Sequence, residues 1–250
     1  MRPICLFTDF GTTGPYVGQV KAALHIRSPG VPVIDLVADA PAFDPMASAY
    51  LLAALLPQMP ADSVIMGVVD PGVGGARLPL IVQADGHFLV GPDNGLLALV
   101  LRRAVNSRVW AITWQPQALS ATFHGRDLFA PVAAALAAGT SPDDLAAPLS
   151  QGMVGADWPD DLARIVYMDH YGNAMTGLRG SGLFADKILR VGECLLPPAR
   201  TYSDTVPGAG FWYVNSIGLV EISVNCGHAA RQLALNVGDV VVWDEKNVSA

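Results

Sequence analysis

The chain has 250 residues, 52% of them hydrophobic, enough to bury one large core or two modest ones. Its formal charge of −7, with 15 Lys and Arg that form no cluster, argues against nucleic acid or an anionic membrane surface as partner. No apolar run approaches the ~20 residues needed to span a bilayer, Met1-Arg2-Pro3 lacks a secretory pattern, and Cys5, Cys194 and Cys226 are far apart without a Cys-x-x-Cys, so a soluble cytoplasmic protein without a disulfide framework or thiolate zinc site is expected.

Residues 3–7 form a short apolar run of the buried-strand kind that delivers Thr8-Asp9 into a Gly-rich turn. Pro15 suits the first turn of a helix carrying Val17, Val20 and Leu24 and ending near Ser28-Pro29-Gly30. Residues 31–37 read as a second strand, Asp44 caps a helix reaching Leu56, and residues 63–69 read as a third strand. Strand and helix alternating in this way predict parallel pairing with right-handed crossovers. Ligands in such sheets bind at the carboxyl ends of strands, where both Asp9 and Asp70 fall.

Asp85-Gly86 between residues 80–84 and 88–90 signals a hairpin. Asp93-Asn94-Gly95 starts a helix to about Arg103, residues 109–113 form another strand, and Asp127 begins an alanine-rich helix with Gly139 as its C-cap. The first domain should close near Leu149, and the aperiodic residues 151–161 suit a linker. Beyond it, residues 163–168, 188–191, 211–214, 219–222 and 237–243 are short strand-like runs with little helix signal, which predicts a small β-barrel or sandwich.

The most informative stretch is Val69-Asp70-Pro71-Gly72-Val73-Gly74-Gly75-Ala76-Arg77, where a strand ends in a carboxylate followed by Pro and Gly that stop any continuing element. Such a loop can fold back and bring the Arg77 guanidinium to the Asp70 carboxylate. The pattern also suits a plain turn. Thr8-Asp9-Phe10-Gly11 and His124-Gly125-Arg126-Asp127 echo it by placing polar groups beside Gly between predicted elements.

These blocks, together with Tyr16-Val17-Gly18, Gly91-Pro92-Asp93-Asn94-Gly95-Leu96-Leu97, the continuation Leu128-Phe129-Ala130-Pro131, Asp169-His170-Tyr171-Gly172-Asn173, Thr201-Tyr202-Ser203-Asp204 and Asn215-Ser216-x-Gly218, resemble the S-adenosyl-L-methionine (SAM) hydrolases that form adenosine. These are hydroxide adenosyltransferases related to the fluorinase and chlorinase. The likeness runs in order from residue 3 to about residue 242. It implies an α/β N-terminal domain with a mainly parallel central sheet (residues 1–150), a linker (151–161), a C-terminal β-barrel domain (162–250), and a homotrimer with sites between subunits. The implied reaction is SAM plus water giving adenosine and L-methionine, with no cofactor and no metal.

By the same resemblance Asp70, Arg77 and His124 match a water-activating triad. Asp70 and His124 are expected to orient and deprotonate the water, and Arg77 to lower its pKa and fix the carboxylate. Asp9 aligns with a carboxylate that accepts both ribose hydroxyls, and Phe43 with an aromatic that flanks the ribose and faces the sulfonium. Asn173 has the donor and acceptor to read an adenine edge, and Tyr171 and Tyr202 are placed to stack on its faces. Asp169 and Ser216 match the positions that hold the methionine amine and carboxylate. Asn225 is a further substrate-binding candidate that equally suits a turn, while Arg126 and Asp127 are expected to pair locally and cap the following helix. Gly14 departs from the family, many of whose members carry an acidic residue there, and Ile217 replaces an arginine of the fluorinase.

Three other functions compete. Halide transfer to the same carbon is disfavoured because the halogenases have tyrosine at the Asp70 position and do not keep His124, a fixed carboxylate being hostile to a desolvated halide. A non-catalytic sensor of adenosine or SAM would not need the triad. A metallohydrolase using Asp9, Asp70 and His124 lacks ligand spacing.

Overall fold

The computed structural model describes residues 1–180 and 187–244; residues 181–186 and 245–250 of the expected 162–250 domain lie outside the described residues. The chain divides into two compact units, Met1–Trp158 and Pro159–Ala250.

In the first unit the opening apolar run becomes β1 (Ile4–Thr8), with every residue buried as an interior strand requires. Pro15 leads into α1 (Tyr16–Arg27), and the chain returns as β2 (Val33–Val37), parallel to β1. Asp44 caps α2 (Pro45–Leu55) by accepting the Ala47 N–H at 2.9 Å, with Pro45 at the first helical position. From α2 the chain enters β3 (Val64–Val68), parallel to the other side of β1. Leaving β1 toward β2 and then crossing back to β3 makes the gap between β1 and β3 a point of topological reversal. Asp9 and Asp70 both emerge there.

The Asp85-Gly86 turn, with φ of 46° and 96°, joins β4 (Pro79–Ala84) to β5 (His87–Pro92) in an antiparallel hairpin. After α3 (Ala98–Arg103) and β6 (Ser107–Ile112), α4 (Ala130–Ala138) ends at Gly139 with φ 100°. The short β7 (Ala146–Pro148) completes a seven-stranded sheet of order β2-β1-β3-β5-β4-β6-β7. It is parallel from β2 to β5 and antiparallel from β5 to β7. α1 packs with α4, over a core that includes Leu6, Val20, Leu24, Met66 and Phe129, and α2 packs with α3. Residues 151–158 belong to this unit. Val154 N–H donates to Asp93 at 3.0 Å, and the Trp158 ring fills the place where Gly95 would otherwise carry a Cβ.

The second unit is nearly all strand: β8 (Leu162–Met168), β9 (Ala174–Arg179), β10 (Ile188–Val191), β11 (Cys194–Leu196), β12 (Gly210–Val214), β13 (Leu219–Val224), the single-turn α5 (Ala229–Gln232) and β14 (Val241–Asp244). They form two antiparallel sheets, β12-β13-β9-β8 and β11-β10-β14, around Ile165, Leu189, Trp212, Ile222 and Val241. Single bridges link Arg164 to Val240 and Pro198 to Trp212. The run expected at 237–243 becomes strand only at Val241. Before it, Asp239 accepts the Asn236 N–H at 2.8 Å and closes a turn. Among the described residues no helix is long and apolar enough to cross a membrane.

Because Asp44 supplies the only capping side chain seen at the start of α2, Asp44→Ala should lower stability by about 1 kcal/mol. Urea unfolding followed by circular dichroism measures this, and a midpoint equal to the wild type would contradict the assignment.

Candidate active site

The sequence between Asp70 and Arg77 folds as two successive turns. Val73 N–H donates to the Asp70 carbonyl at 3.3 Å and Gly75 N–H to the Gly72 carbonyl at 3.0 Å. Asn94 Nδ2 donates to the Val69 carbonyl at 2.8 Å, which fixes the point where the loop leaves β3. Gly74 has φ 78°, and a Cβ there would come within 2.5 Å of the Ala121 carbonyl oxygen. Only glycine lets the loop lie against the segment that leads to His124.

The loop delivers Arg77 between two partners. Its Nε and Nη2 donate to Asp70 Oδ2 at 2.9 and 2.5 Å, and Nη2 lies 2.8 Å from His124 Nδ1. The guanidinium also stands 5.5 Å from the centroid of the buried Phe129 ring. The Arg77 and Asp70 side chains are 11% and 4% exposed, so water screens the pair little.

This geometry fixes a tautomer. A guanidinium only donates, so His124 Nδ1 must accept and the ring proton sits on Nε2. Burial, and then the Arg77 cation, hold the His124 pKa below its ordinary value, against the opposite pull of Asp70 and Asp127. His124 is therefore neutral with both nitrogens committed, Nδ1 to Arg77 and Nε2 to its own proton. It can donate to a water but cannot take its proton. Asp70 keeps free lone pairs, since only one N–H, at 3.2 Å, reaches its Oδ1. The two residues expected to share one role are thus suited to complementary ones.

Asp70 and His124 line a cavity of about 490 Å³ together with Asp9, Phe10, Tyr16, Phe43 and Arg126. That volume is in the range of small-molecule sites. Burial, with a smaller contribution from Asp70, raises the Asp9 pKa, while the Phe43 N–H, donating to Asp9 Oδ2 at 3.2 Å, opposes the shift. Phe43 has φ 60° and is 78% exposed, an aromatic held in a left-handed conformation. Sequence reasoning missed the wall made by Phe10, Tyr16 and Phe123, whose rings meet edge-on at 5.3 to 5.6 Å or tilted at 6.3 Å. Each belongs to a different segment, and no spacing joins them.

Arg126 and Asp127 do pair, at 2.6 Å, but Asp127 is no helix cap. A π-helical turn (Gly125–Phe129) precedes α4, and Asp127 instead accepts the Ser120 N–H at 2.9 Å. Arg126 also reaches Gln19 Oε1 at 2.8 Å.

In the second unit Asp169 receives the Asn173 N–H and Nδ2, both at 2.8 Å. Asn173 Oδ1 in turn accepts from Ser223 at 2.8 Å, and the Tyr202 hydroxyl lies 3.0 Å from the Ser223 hydroxyl. Asn173 is buried and its amide is engaged on both sides, so its visible work is to brace Asp169. Tyr171 is 73% exposed, and Ser216 is exposed in the turn before β13. Asn225 donates to the Tyr202 and Thr205 carbonyls at 3.1 and 2.8 Å, which makes it a brace for the Tyr202 segment. Among the described residues, no group of three or more His, Cys, Asp or Glu is placed to hold a metal ion.

The sequence matches the SAM hydroxide adenosyltransferase N-terminal domain over residues 4–146 and the SAM hydroxide adenosyltransferase C-terminal domain over residues 163–242. The chain belongs to this family. It is 37% identical to the (R)-S-adenosyl-L-methionine hydrolase of Thermus thermophilus, covering 95% of this chain and 98% of the relative. It is also 37% identical to the enzyme of the same name from Salinispora arenicola, covering 94% and 95%. Among solved structures it resembles an uncharacterized conserved protein from Thermotoga maritima, with a TM-score of 0.87 at 28% identity over 97% of this chain and 100% of that one. A conserved hypothetical protein from Thermus thermophilus gives 0.77 at 34% identity over 98% and 100%.

The tautomer argument has a direct check in an NMR pH titration. The His124 imidazole should titrate below the ordinary value of about 6.5, and Arg77→Ala should move it upward, because the repelling cation is gone while Asp70 stays. A downward move or none would refute the pairing.

Proposed function

We propose that this protein hydrolyses SAM to adenosine and L-methionine by in-line attack of water on the ribose C5′. The observation that carries the reading is the Asp70, Arg77 and His124 unit, in which Arg77 ties together the Asp70 and His124 side chains that line a nucleoside-sized cavity. A sulfonium leaves as a neutral thioether, so it needs neither a proton nor a Lewis acid. The protein must place one water in line and stabilise the charge that moves from sulfur to the attacking oxygen. His124 Nε2–H orients the water by donating to one lone pair. The other lone pair forms the O–C5′ bond as the C5′–S bond breaks and its electrons pass to sulfur, and Asp70 takes the water's proton. Arg77 holds Asp70 in place and keeps His124 neutral.

In this reading Asp9 accepts the ribose hydroxyls and Phe43 faces the sulfonium. Asp169 and Ser216 take the methionine amine and carboxylate, and Tyr171 and Tyr202 stack on the adenine, with Asn173 beside it orienting Asp169. The names of the relatives specify the (R) form, and we assign the same stereochemistry to the substrate here. A halide would meet the Asp70 carboxylate in the cavity, which disfavours halogenation. The single bridges at the edges of the two β-sheets support a barrel reading of the second unit. Three free cysteines suit a reducing compartment, and we place the protein in the cytoplasm. The reading extends to a homotrimer whose sites lie between subunits and which uses no cofactor and no metal.

Asp70→Asn should reduce turnover by about a hundredfold or more while adenosine binding stays within roughly tenfold, about 1.4 kcal/mol. Chromatography of the products and calorimetry test this, and joint loss of binding would show that Asp70 is a nucleoside contact instead. Activity should also survive exhaustive chelation; loss reversed by one divalent ion would contradict the metal-free mechanism. Asp70→Asn and Asp169→Ala chains, each inactive alone, should regain partial activity when unfolded and refolded together. Mixed oligomers confirmed by native mass spectrometry that stay inactive would place the whole site within one chain.

A further inference from the structure

β13 carries two kinds of residue on its two faces. Val220, Ile222 and Val224 enter the core of the second unit, so Glu221 and Ser223 point to the opposite face of the sheet. Nevertheless Glu221 is only 2% exposed and Ser223 is fully buried. The cover comes from β12, where Tyr213 pairs with Glu221 and Phe211 with Ser223, and from Tyr202, whose ring stands 5.6 and 5.2 Å from theirs.

A buried carboxyl is costly unless both oxygens are bonded. Here both are. The Tyr213 hydroxyl donates to Oε1 at 2.5 Å and Asn215 Nδ2 to Oε2 at 2.7 Å. Burial raises the Glu221 pKa, these two bonds oppose the shift, and the charge of Asp169 adds to it. Tyr213 packs edge-on against Tyr202, their hydroxyls 3.3 Å apart, and from Tyr202 hydrogen bonds run to Ser223, Asn173 and Asp169. On the other side Asn215 Oδ1 accepts the Ile217 and Leu219 N–H groups at 3.1 and 2.9 Å, which shapes the turn that presents Ser216. A valine at 221 would serve β13 equally well as a strand residue, but it could not join these two arms.

We propose that Glu221 is a positioning residue that locks Asp169, Tyr202 and the Ser216 turn into one arrangement, so that substrate affinity depends on a carboxyl that touches no substrate. This rests on the hydrolase reading. In Glu221→Gln the side-chain oxygen still accepts from Asn215 and the amide donates to the Tyr213 hydroxyl, which turns to accept it, so both arms hold; Glu221→Leu removes both partners and releases both arms.

The test compares wild type, Glu221→Leu, Glu221→Gln and Tyr213→Phe for thermal midpoint and SAM turnover. We expect KM to rise about tenfold in Glu221→Leu with kcat within about threefold, rescue to near the wild-type KM in Glu221→Gln, and a smaller rise in Tyr213→Phe. A merely structural role would lower the midpoint and the active fraction, hence apparent kcat, with KM unchanged, and that result overturns the proposal. If Glu221→Leu does not fold, Tyr213→Phe, which deletes one hydroxyl from the same network, decides by the same KM criterion. Wild-type protein that releases no adenosine would overturn the hydrolase reading and this role with it. Active wild type with unchanged KM in Glu221→Leu and Tyr213→Phe overturns this role alone.

Discussion

A guanidinium carries its N–H donors in one plane and has no acceptor, and the polar cluster of the first unit follows from where Arg77 points them. One edge takes up the Asp70 carboxylate and the adjoining nitrogen reaches His124. From that single placement come the orientation of the carboxylate, the neutral state of the imidazole and the division between a carboxylate left to accept a hydrogen bond and an imidazole left to donate one. The rest of the unit serves it. Parallel β1 and β3 bring Asp9 and Asp70 to one end of the sheet, Asn94 fixes the end of β3, Gly74 allows the loop to lie against Ala121, and Phe129 closes the buried side of the guanidinium.

The second unit solves a different problem with the same chemistry. Its polar side chains are not arranged around one cation but strung along a sheet face from Asp169 to Asn215, with Glu221 anchoring one end. Partly satisfied networks of this kind are unstable in a low dielectric, and fully bonded ones set a single geometry. The groups at its margin, Tyr171 and Ser216, are exposed.

Much of the first unit was legible because its signals are local. The Asp44 cap, the Asp85-Gly86 hairpin and the Gly139 C-cap each depend on residues within a few positions, and all three stand where expected. β7 was not legible, because Ala146-Ala147-Pro148 has no strand character and is strand only through pairing with β6. β9 and β11 were missed for a related reason: Ala174-Met175-Thr176-Gly177 and three residues at Cys194 give no clear alternation. Asp127 is not the cap the sequence suggests because it lies inside a π-helical turn that precedes α4. Asp70 and Arg77 could be paired from the Gly-rich loop alone. The third member, His124, lies 47 residues further on, and only the resemblance joined it to them. Glu221 gave no signal at all, since one charge in an apolar strand reads as an exposed face until the tyrosines that cover it are in place.

The central claim is that Asp70, held by Arg77 and assisted by His124, directs a water to the ribose C5′. Turnover of SAM in oxygen-18 water, with both products examined by mass spectrometry, tests it most directly. The account requires one labelled oxygen in the 5′-hydroxyl of adenosine and none in methionine. Unlabelled adenosine, or label in the methionine, would contradict it.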